Sequence, residues 1–399
     1  MNHDRRDIPN NWAHMIALAL LVAIALVLRF VQPFDDVIRS SDEPGYIGIA
    51  QNLAQGRGFS ESWAQGAPTA WHAPVTPFIL SLFIRAGDST KTAIQWFKAF
   101  QHLLGALSVL LLALAAFIMH GDRVAALLAV ALLAINRPLI ALSDMVLSET
   151  IFVFLLCATL LLILLAEKRR SLPLYAIAGF FAGFGLLTRA ALYLFILLVP
   201  AILLIRRLRQ KRKHQDARPI AAASLFLLAA LVVAMPWIVR NTVVFDRFTL
   251  VTSNTGFNLY RENADYSFRL DRYRDIDQTA LNQMNESQRD RYYLDTAVAN
   301  IAAHPFRYLG KVLQRLYAMA EVTWIGFALC LFGAVRMSRY GGSNWAMPLA
   351  MFAGFVVTYA FVFLNDRLLT TLFPTAFLFM SYGAVEAVGK LRRVLRERS

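Results

Sequence analysis

The chain carries a series of long apolar runs, each separated from the next by a short polar or charged segment. A transmembrane helix needs about 20 apolar residues, and about ten stretches meet or approach that length. They are Ala13–Val31, Ile94–Met119, Val124–Ala141, Thr150–Ala166, Leu172–Leu187, Ala191–Ile205, Pro219–Ile238, Tyr317–Val335, Trp345–Phe363 and Leu368–Val388. We therefore predict an all-α polytopic membrane protein with about ten transmembrane helices.

The composition agrees with this class. Apolar residues make up 58% of the chain and charged residues 17%, whereas a soluble domain averages about half apolar and a quarter charged. A net charge of +14 in a soluble protein would suggest nucleic acid as a partner. Here Lys and Arg lie beside the apolar runs, where they set topology and contact anionic headgroups. The predicted partners therefore include membrane lipids and exclude nucleic acid.

The basic residues also orient the chain. With ten crossings, the segments richest in Lys and Arg fall on one side: MNHDRRD, HGDR, EKRR, RRLRQKRKHQDAR, RMSR and KLRRVLRERS. That side is cytoplasmic by the positive-inside rule, and both termini lie there. The opposite side receives residues 40–77, 136–148, 188–189, 239–315 and 365–367. We therefore expect the working loops to face the side opposite the cytoplasm.

Four stretches predict helices that are short or lie outside the membrane. Glu43–Leu53 has apolar residues at helical spacing and should lie on the membrane surface. The run from His72 to Arg85 is too short to span and should also be interfacial. Gln288–Met319 carries an apolar stripe broken near Pro305. In Leu172–Ile205, three glycines and the pair Thr188-Arg189 suggest two short helices that meet at a membrane surface.

These elements predict three regions. Residues 1–238 form an N-terminal transmembrane module that includes the first external loop, residues 33–93. Residues 239–316 form a small external region with helical structure. Residues 317–399 form C-terminal transmembrane helices and a basic cytoplasmic tail.

Acidic residues on the external side are the first candidates for chemistry. Asp42 and Glu43 follow the first span, while Asp144 and Glu149 lie at the start of the fourth. A carboxylate at that depth needs water, a cation or a polar partner, and such residues often mark a functional cavity. Two alternatives remain open: Asp42 could only cap the surface helix, and Glu149 could be an ordinary first-turn acid favoured by the helix dipole.

Basic and aromatic residues on the same side supply further candidates. Arg189, Arg240 and Arg367 sit at external boundaries, where a guanidinium can bind the oxygens of a phosphate or extend to lipid headgroups. Tyr46 and His72 are further pocket candidates. His72 could ligate a metal or carry a proton, but a lone His near Trp71 is more often a packing residue.

Several of these motifs occur together in a familiar order. Asp42-Glu43 with Tyr46 is followed by Ala-x-x-Leu-x-x-Gly-x-Gly-Phe, then by Pro68-Thr69, Pro74 and Pro77. The remaining motifs are Leu147-Ser148-Glu149, GFGLLTR at 183–189, PWIVRN at 236–241, His304-Pro305, and Arg367 with Pro374. In this order and on one membrane side, they resemble the GT-C superfamily of membrane glycosyltransferases. The chain is most similar to the bacterial branch related to protein O-mannosyltransferases and to the aminoarabinose transferases of lipid A.

The resemblance implies a GT-C-like helical bundle with interfacial helices in the first external loop and a small periplasmic helical region. It implies an inverting transfer of a hexosyl or pentosyl group from a polyprenyl-phosphate donor to a lipid, glycan or protein acceptor. It maps the catalytic base to Asp42 and a neighbouring acid to Glu43. It maps site-shaping acids to Asp144 and Glu149, and a contact with the lipid phosphate to Arg189.

The sequence departs from relatives in one respect that concerns cofactors. The Glu and His metal pattern of the aminoarabinose branch is not evident, so no metal ligand is assigned. A divalent metal ion is the one cofactor left open.

Two other classes compete with the enzyme. A multi-pass transporter or polyprenyl-lipid flippase would share the spans and buried charges, but no paired repeats with broken helices are visible. A non-catalytic assembly partner would not need carboxylates and arginines gathered on one side.

Overall fold

The computed structural model describes residues 11–32, 37–61, 66–209, 217–263, 281, 283–321, 324–340 and 345–398. Regular structure in these residues is helical, with one isolated β-bridge between Ser60 and Pro68. The helices are α1 (Asn11–Phe30), α2 (Glu43–Ala54), α3 (Val75–Ala86), α4 (Thr90–His120), α5 (Arg123–Ala134), α6 (Arg137–Leu142), α7 (Glu149–Arg169), α8 (Leu172–Thr188), α9 (Tyr193–Arg209), α10 (Arg218–Phe245), α11 (Thr255–Asn263), α12 (Glu286–Ala303), α13 (Pro305–Glu321), α14 (Trp324–Tyr340), α15 (Ala346–Phe361), α16 (Asp366–Thr370) and α17 (Phe373–Arg398).

The helices form a membrane bundle, as the apolar runs predicted. Among the described residues, five helices are long and apolar enough to cross a membrane, or six if the bent pair α13–α14 counts as one span. The five are α1, α4, α7, α9 with its preceding turn, and α10, and four further apolar helices are shorter. The all-α class is confirmed, while the count of about ten crossings is not confirmed.

Helix α7 lies at the centre of the bundle. Of its apolar window, 78% is buried inside the protein, against 11% for α1. It packs against α4 on one side and α8 on the other. Its first residue, Glu149, is buried as well, so the centre of the bundle carries a carboxylate at its external end.

Some predicted boundaries are confirmed. The surface helix is present as α2, and the stripe at 288–319 forms α12 and α13, which separate at His304. The Leu172–Ile205 stretch does form two short helices that meet at Arg189. The glycines do not break the first of these helices, however, because α8 continues through them to Thr188.

Three predicted spans are wrong in extent. Val124–Ala141 divides into α5 and α6, because the Asn136 side chain caps a new helix by accepting from Leu139 N at 3.1 Å. Leu368–Val388 divides into α16 and α17. Tyr317–Val335 spans the end of α13 and the start of α14, two helices bent by 96°.

The two faces of α13 explain why Tyr317–Val335 is not a single span. Lys311 and Arg315 on one of its faces donate to the backbone carbonyl of Glu262, near the end of α11. The opposite face exposes Phe306, Leu309 and Leu313. A helix with one polar and one exposed apolar face fits a membrane surface better than a span.

Glycines explain how closely two of the helices approach each other. A Cβ atom at Gly179 in α8 would overlap the carbonyl oxygen of Phe226 in α10, and one at Gly183 would lie 2.8 Å from the carbonyl oxygen of Ala230. Small residues four apart let helix backbones meet in a membrane. The role of these glycines is therefore helix contact.

We expect Gly179→Ala to lower the free energy of unfolding by roughly 1–3 kcal/mol, because the methyl group meets backbone atoms that cannot rotate away. Titration of the detergent-solubilised protein with a denaturant, followed by tryptophan fluorescence, measures it. Gly310→Ala is the matched control, since nothing lies within 4 Å of a Cβ atom there. Equal stability of the two variants would contradict the packing role.

Candidate functional site

A cavity of about 790 Å³ opens at the end of the bundle where α7 begins. This volume lies within the range of about 300–1,000 Å³ typical of small-molecule sites. Its inner part is lined by Asp42, Tyr46, His72, Ser148, Glu149, Arg189, Tyr359 and Arg367. Its outer part is lined by residues of the external region, including Arg247, Thr252, Asn254, Phe257, Asn258, Arg261 and Asp290, together with Trp71.

Four charged side chains form an inner charge cluster: Asp42, Glu149, Arg189 and Arg367. Arg189 Nη1 lies 2.9 Å from Glu149 Oε1, and Arg367 Nε lies 3.8 Å from the same oxygen. Arg367 Nη2 also donates to Asp42 Oδ2. Cations and carboxylates therefore alternate from Asp42 to Arg189, and their formal charges cancel.

Each member of the inner charge cluster comes from the end of a different element. Asp42 precedes α2, Glu149 begins α7, Arg189 lies in the turn between α8 and α9, and Arg367 lies in α16. Two hydroxyl groups support the arginines, since Arg189 Nη1 donates to Ser148 Oγ and Arg367 Nη1 to Ser40 Oγ, both at 3.1 Å. Elements far apart in sequence are thus held at one point.

One buried oxygen of the cluster lacks a hydrogen bond in the described part of the chain. Glu149 Oε2 is buried, and no described residue donates to it. Buried polar atoms nearly always have a hydrogen-bond partner. A bound ligand could donate the hydrogen bond that this oxygen lacks.

Asp42 and Glu43 have different surroundings. Asp42 occupies the N-cap position of α2 but makes no capping hydrogen bond, so the capping alternative is wrong. Glu43 is buried and accepts from the backbone amides of Arg39 (2.7 Å), Ser40 (2.8 Å) and Val146 (2.9 Å). It fastens the start of α2 to the segment before α7 and does not line the cavity.

Asp144 also lies away from the cavity lining. Its Oδ2 atom is 3.0 Å from Arg39 Nη1, and its Oδ1 atom is 3.8 Å from Lys98 Nζ and 3.7 Å from His102 Nε2. The structure therefore places Asp144 in a second charged group beside α4.

Arg240 does not line the cavity either. Its guanidinium donates to the carbonyl oxygens of Thr69 (2.7 Å) and Phe59 (2.9 Å), and it lies 4.8 Å from the ring of Trp237. The N–H donors of Arg240 therefore bind backbone carbonyls of the first external loop. Neither of the two roles that the sequence suggested, phosphate binding or headgroup contact, explains these contacts.

His72 and Tyr46 form one wall of the inner part. Their ring centroids are 4.3 Å apart. Burial lowers the pKa of His72 to about 4, although nearby Asp42 acts in the opposite direction. Burial, and after it the negative charge of Glu149, raise the pKa of Tyr46 to about 12. Both side chains are therefore neutral near pH 7.

The outer part of the cavity was not predicted from the sequence. Trp71 and Phe257 pack with ring centroids 5.3 Å apart, and Asn254 Nδ2 donates to the carbonyl oxygen of Trp71 at 2.9 Å. Asp290 accepts from Phe257 N at 3.0 Å and so holds the start of α11. Asn254, Phe257 and Asp290 come from a polar region of the sequence that carries no motif. Only the fold brings them beside Trp71 at the cavity.

Comparisons with known proteins agree with this architecture. Residues 71–239 match the family model described as dolichyl-phosphate-mannose-protein mannosyltransferase. The Archaeoglobus fulgidus oligosaccharyltransferase in complex with Zn and sulfate shares 15% identity at a TM-score of 0.59, over 94% of this chain and 49% of that one. The structure of the same protein tethered to an acceptor peptide shares 13% identity at a TM-score of 0.62, over 98% of this chain and 51% of that one.

A bacterial structure matches as well. ArnT from Cupriavidus metallidurans bound to undecaprenyl phosphate shares 14% identity at a TM-score of 0.55, over 92% of this chain and 59% of that one. The chain therefore has the fold of the GT-C membrane glycosyltransferases, as the resemblance in the motifs implied. It spans about half to three fifths of the length of the solved structures it matches. No curated protein sequence matches it significantly.

The described residues do not offer a metal-binding set. No three His, Cys, Asp or Glu side chains in that part of the chain lie close enough together to hold a metal ion. Within the part of the chain that the structure describes, the zinc of the oligosaccharyltransferase structure therefore has no counterpart ligand set.

We expect Glu149→Gln to lower the free energy of unfolding by about 2–3 kcal/mol, because it leaves the half-buried Arg189 without its closest counter-charge. The double variant Glu149→Gln with Arg189→Gln should lose less than the sum of the two single changes. Denaturant titration of all four proteins gives the coupling energy. Strict additivity would show that the pair is not energetically linked.

Proposed function

We propose that this GT-C protein is an inverting glycosyltransferase that takes a sugar from a polyprenyl-phosphate donor and places it on an extracytoplasmic acceptor. The observation that supports this most is the inner charge cluster, which brings two carboxylates and two arginines into one cavity at the external end of the bundle. Acceptor classes that fit are lipid A or lipopolysaccharide, a cell-envelope glycan, and a protein.

The arginines suit the phosphate of the donor. The guanidinium is planar and can form two hydrogen bonds with phosphate oxygens. As the bond between the sugar C1 and the phosphate oxygen breaks, negative charge builds on the leaving polyprenyl phosphate, and fixed cations stabilise it. Arg189 and Arg367 are the inner cavity's two cations. The undecaprenyl phosphate in the ArnT structure supports this class of donor.

Asp42 suits the role of general base. Its Oδ2 atom accepts from Arg367, and no described residue donates to Oδ1. The acceptor hydroxyl would give its proton to Asp42 while its oxygen forms the new bond to C1 on the face opposite the phosphate. A positioned general base contributes about 10²–10⁴ in rate. Attack on the opposite face inverts the configuration at C1.

Glu149 suits a binding role. Its Oε2 atom is buried and unpaired, so it can accept a hydrogen bond from a sugar hydroxyl while Oε1 holds Arg189. The neutral His72 and Tyr46 form the adjoining wall, where they exclude water and pack against the sugar.

The location follows from the basic residues. Arg169, Arg206, Arg209 and Arg218 lie at the end of the bundle opposite the cavity, at the termini of α7, α9 and α10. The positive-inside rule places that end in the cytoplasm. We propose the bacterial inner membrane as the site of action, with the cavity facing the periplasm.

Asp42→Asn should reduce the transfer rate by at least about 10², measured as radiolabelled sugar moved from a polyprenyl-phosphate donor to membrane acceptors. Asp366→Asn changes an exposed carboxylate beside Arg367 in α16. This variant is the matched control and should keep the wild-type rate. Wild-type turnover by Asp42→Asn would remove the base assignment. Intact donor with the wild-type protein would favour a transporter or flippase.

Arg189→Ala should weaken binding of undecaprenyl phosphate about tenfold or more, because a charge-assisted hydrogen bond contributes about 1.5–3 kcal/mol. Binding of the labelled lipid to the protein in nanodiscs measures it without turnover. Arg339→Ala, at the cytoplasmic end of α14, removes the same charge away from the cavity. If both variants bind like the wild type, Arg189 does not hold the phosphate.

A further inference from the structure

In the first external loop, residues 59–61 pair with residues 67–69 beside the cavity, and these two paired segments are called the turn below. Thr69 N donates to Phe59 O at 3.2 Å, and Glu61 N donates to Ala67 O at 3.1 Å. The turn leads directly into Trp71 and His72, which line the cavity. Whatever holds this turn therefore also places two residues of the cavity wall.

A single carboxylate joins the turn to the external region. Glu286, the first residue of α12, accepts from Ala70 N and Thr69 Oγ1, both at 2.7 Å. It also accepts from Ser253 Oγ. Ser253 N in turn donates to Ala70 O at 3.0 Å. Glu286 is thus the point where the loop, the segment after α10 and α12 meet.

A second carboxyl group touches the same hydroxyl. Glu61 is buried, and its Oε1 atom lies 3.1 Å from Thr69 Oγ1. Thr69 has one hydroxyl proton, and its oxygen already accepts from Trp71 N at 3.0 Å. If that proton goes to Glu286, the contact with Glu61 is a hydrogen bond only when Glu61 itself carries a proton. Hydrogen-bond accounting therefore calls for one proton on the carboxyl pair.

The charges around Glu61 agree with this requirement. Burial, and after it the negative charge of Glu286, raise the pKa of Glu61 to about 7, although Thr69 and Arg289 act in the opposite direction. Around Glu286 itself, Arg240 and Asp290 are the other charged groups that interact with it. The proton is therefore held at acid pH and lost to solvent as the pH rises through about 7.

We propose that Glu61, Thr69 and Glu286 form a shared-proton clasp, whose three members are positioning residues that hold Trp71 and His72 in the cavity wall. With the proton present, Thr69 links both carboxyl groups. Without it, the buried carboxylate of Glu61 and the half-buried carboxylate of Glu286 face one hydroxyl group and repel each other, so the turn separates from α12. The clasp does not depend on the transferase assignment, because it follows from contacts outside the inner charge cluster.

Hydrogen–deuterium exchange of the full chain in nanodiscs tests this proposal without an activity assay. The readout is the protection factor of the amides at 69–72, which removes the intrinsic pH dependence of exchange. In the wild type this protection factor should fall about tenfold from pH 6 to pH 8. The loss of a single proton can change it by at most about tenfold per pH unit, so this fall is within reach of one carboxyl group. A wild-type protection factor that stays constant across this range would overturn the proposal.

Glu61→Gln separates a proton clasp from simple packing. The amide keeps a hydrogen-bond donor and carries no charge, so protection should stay at its pH 6 level up to pH 8. Glu321→Gln, an exposed acid at the end of α13, is the matched control and should titrate like the wild type. If Glu61→Gln also loses protection with rising pH, another group carries the proton and the proposal fails.

Thr69→Val tests the hydroxyl. It should show low protection at both pH values, and Thr69→Ser should restore both the protection and its pH dependence. Should Thr69→Val fail to fold, Thr69→Ser still decides, because a serine variant without the wild-type pH dependence would contradict a shared hydroxyl.

Discussion

The site depends on opposite charges that meet where several helices end on one side of the bundle. Buried charges are tolerated only with counter-charges and hydrogen bonds, and Glu149 is buried at the start of the central helix α7. Arg189 and Arg367 supply its counter-charges from two other elements. The same contacts therefore hold the ends of the helices together and concentrate charge in the cavity.

Much of this cavity was predictable from the sequence because of membrane topology. Once the spans and their orientation are assigned, Asp42, Glu149, Arg189 and Arg367 must all lie on one side. A charge at the end of a span has few partners other than charges at the ends of neighbouring spans. The GT-C fold brings these four side chains into contact, and Tyr46 and His72 line the same cavity.

Other parts were not predictable, because they depend on contacts between distant residues. Glu43 and Asp144 resemble Asp42 and Glu149 in sequence position, yet backbone amides hold the first and a separate set of cations surrounds the second. Arg240 bonds with carbonyls of a loop more than 150 residues earlier in the chain. The break between α13 and α14 was hidden because both helices contribute apolar residues to one continuous run.

The position of Arg367 between two carboxylates has a consequence for the order of events in the proposed reaction. Its guanidinium already donates to Asp42, so a phosphate that binds Arg367 competes with that carboxylate for the same N–H groups. Arrival of the donor would release Asp42 Oδ2 toward the incoming hydroxyl, whereas the acceptor alone would find only Oδ1 without a hydrogen bond. The geometry thus favours ordered substrate addition, with the lipid-linked sugar first and the acceptor second.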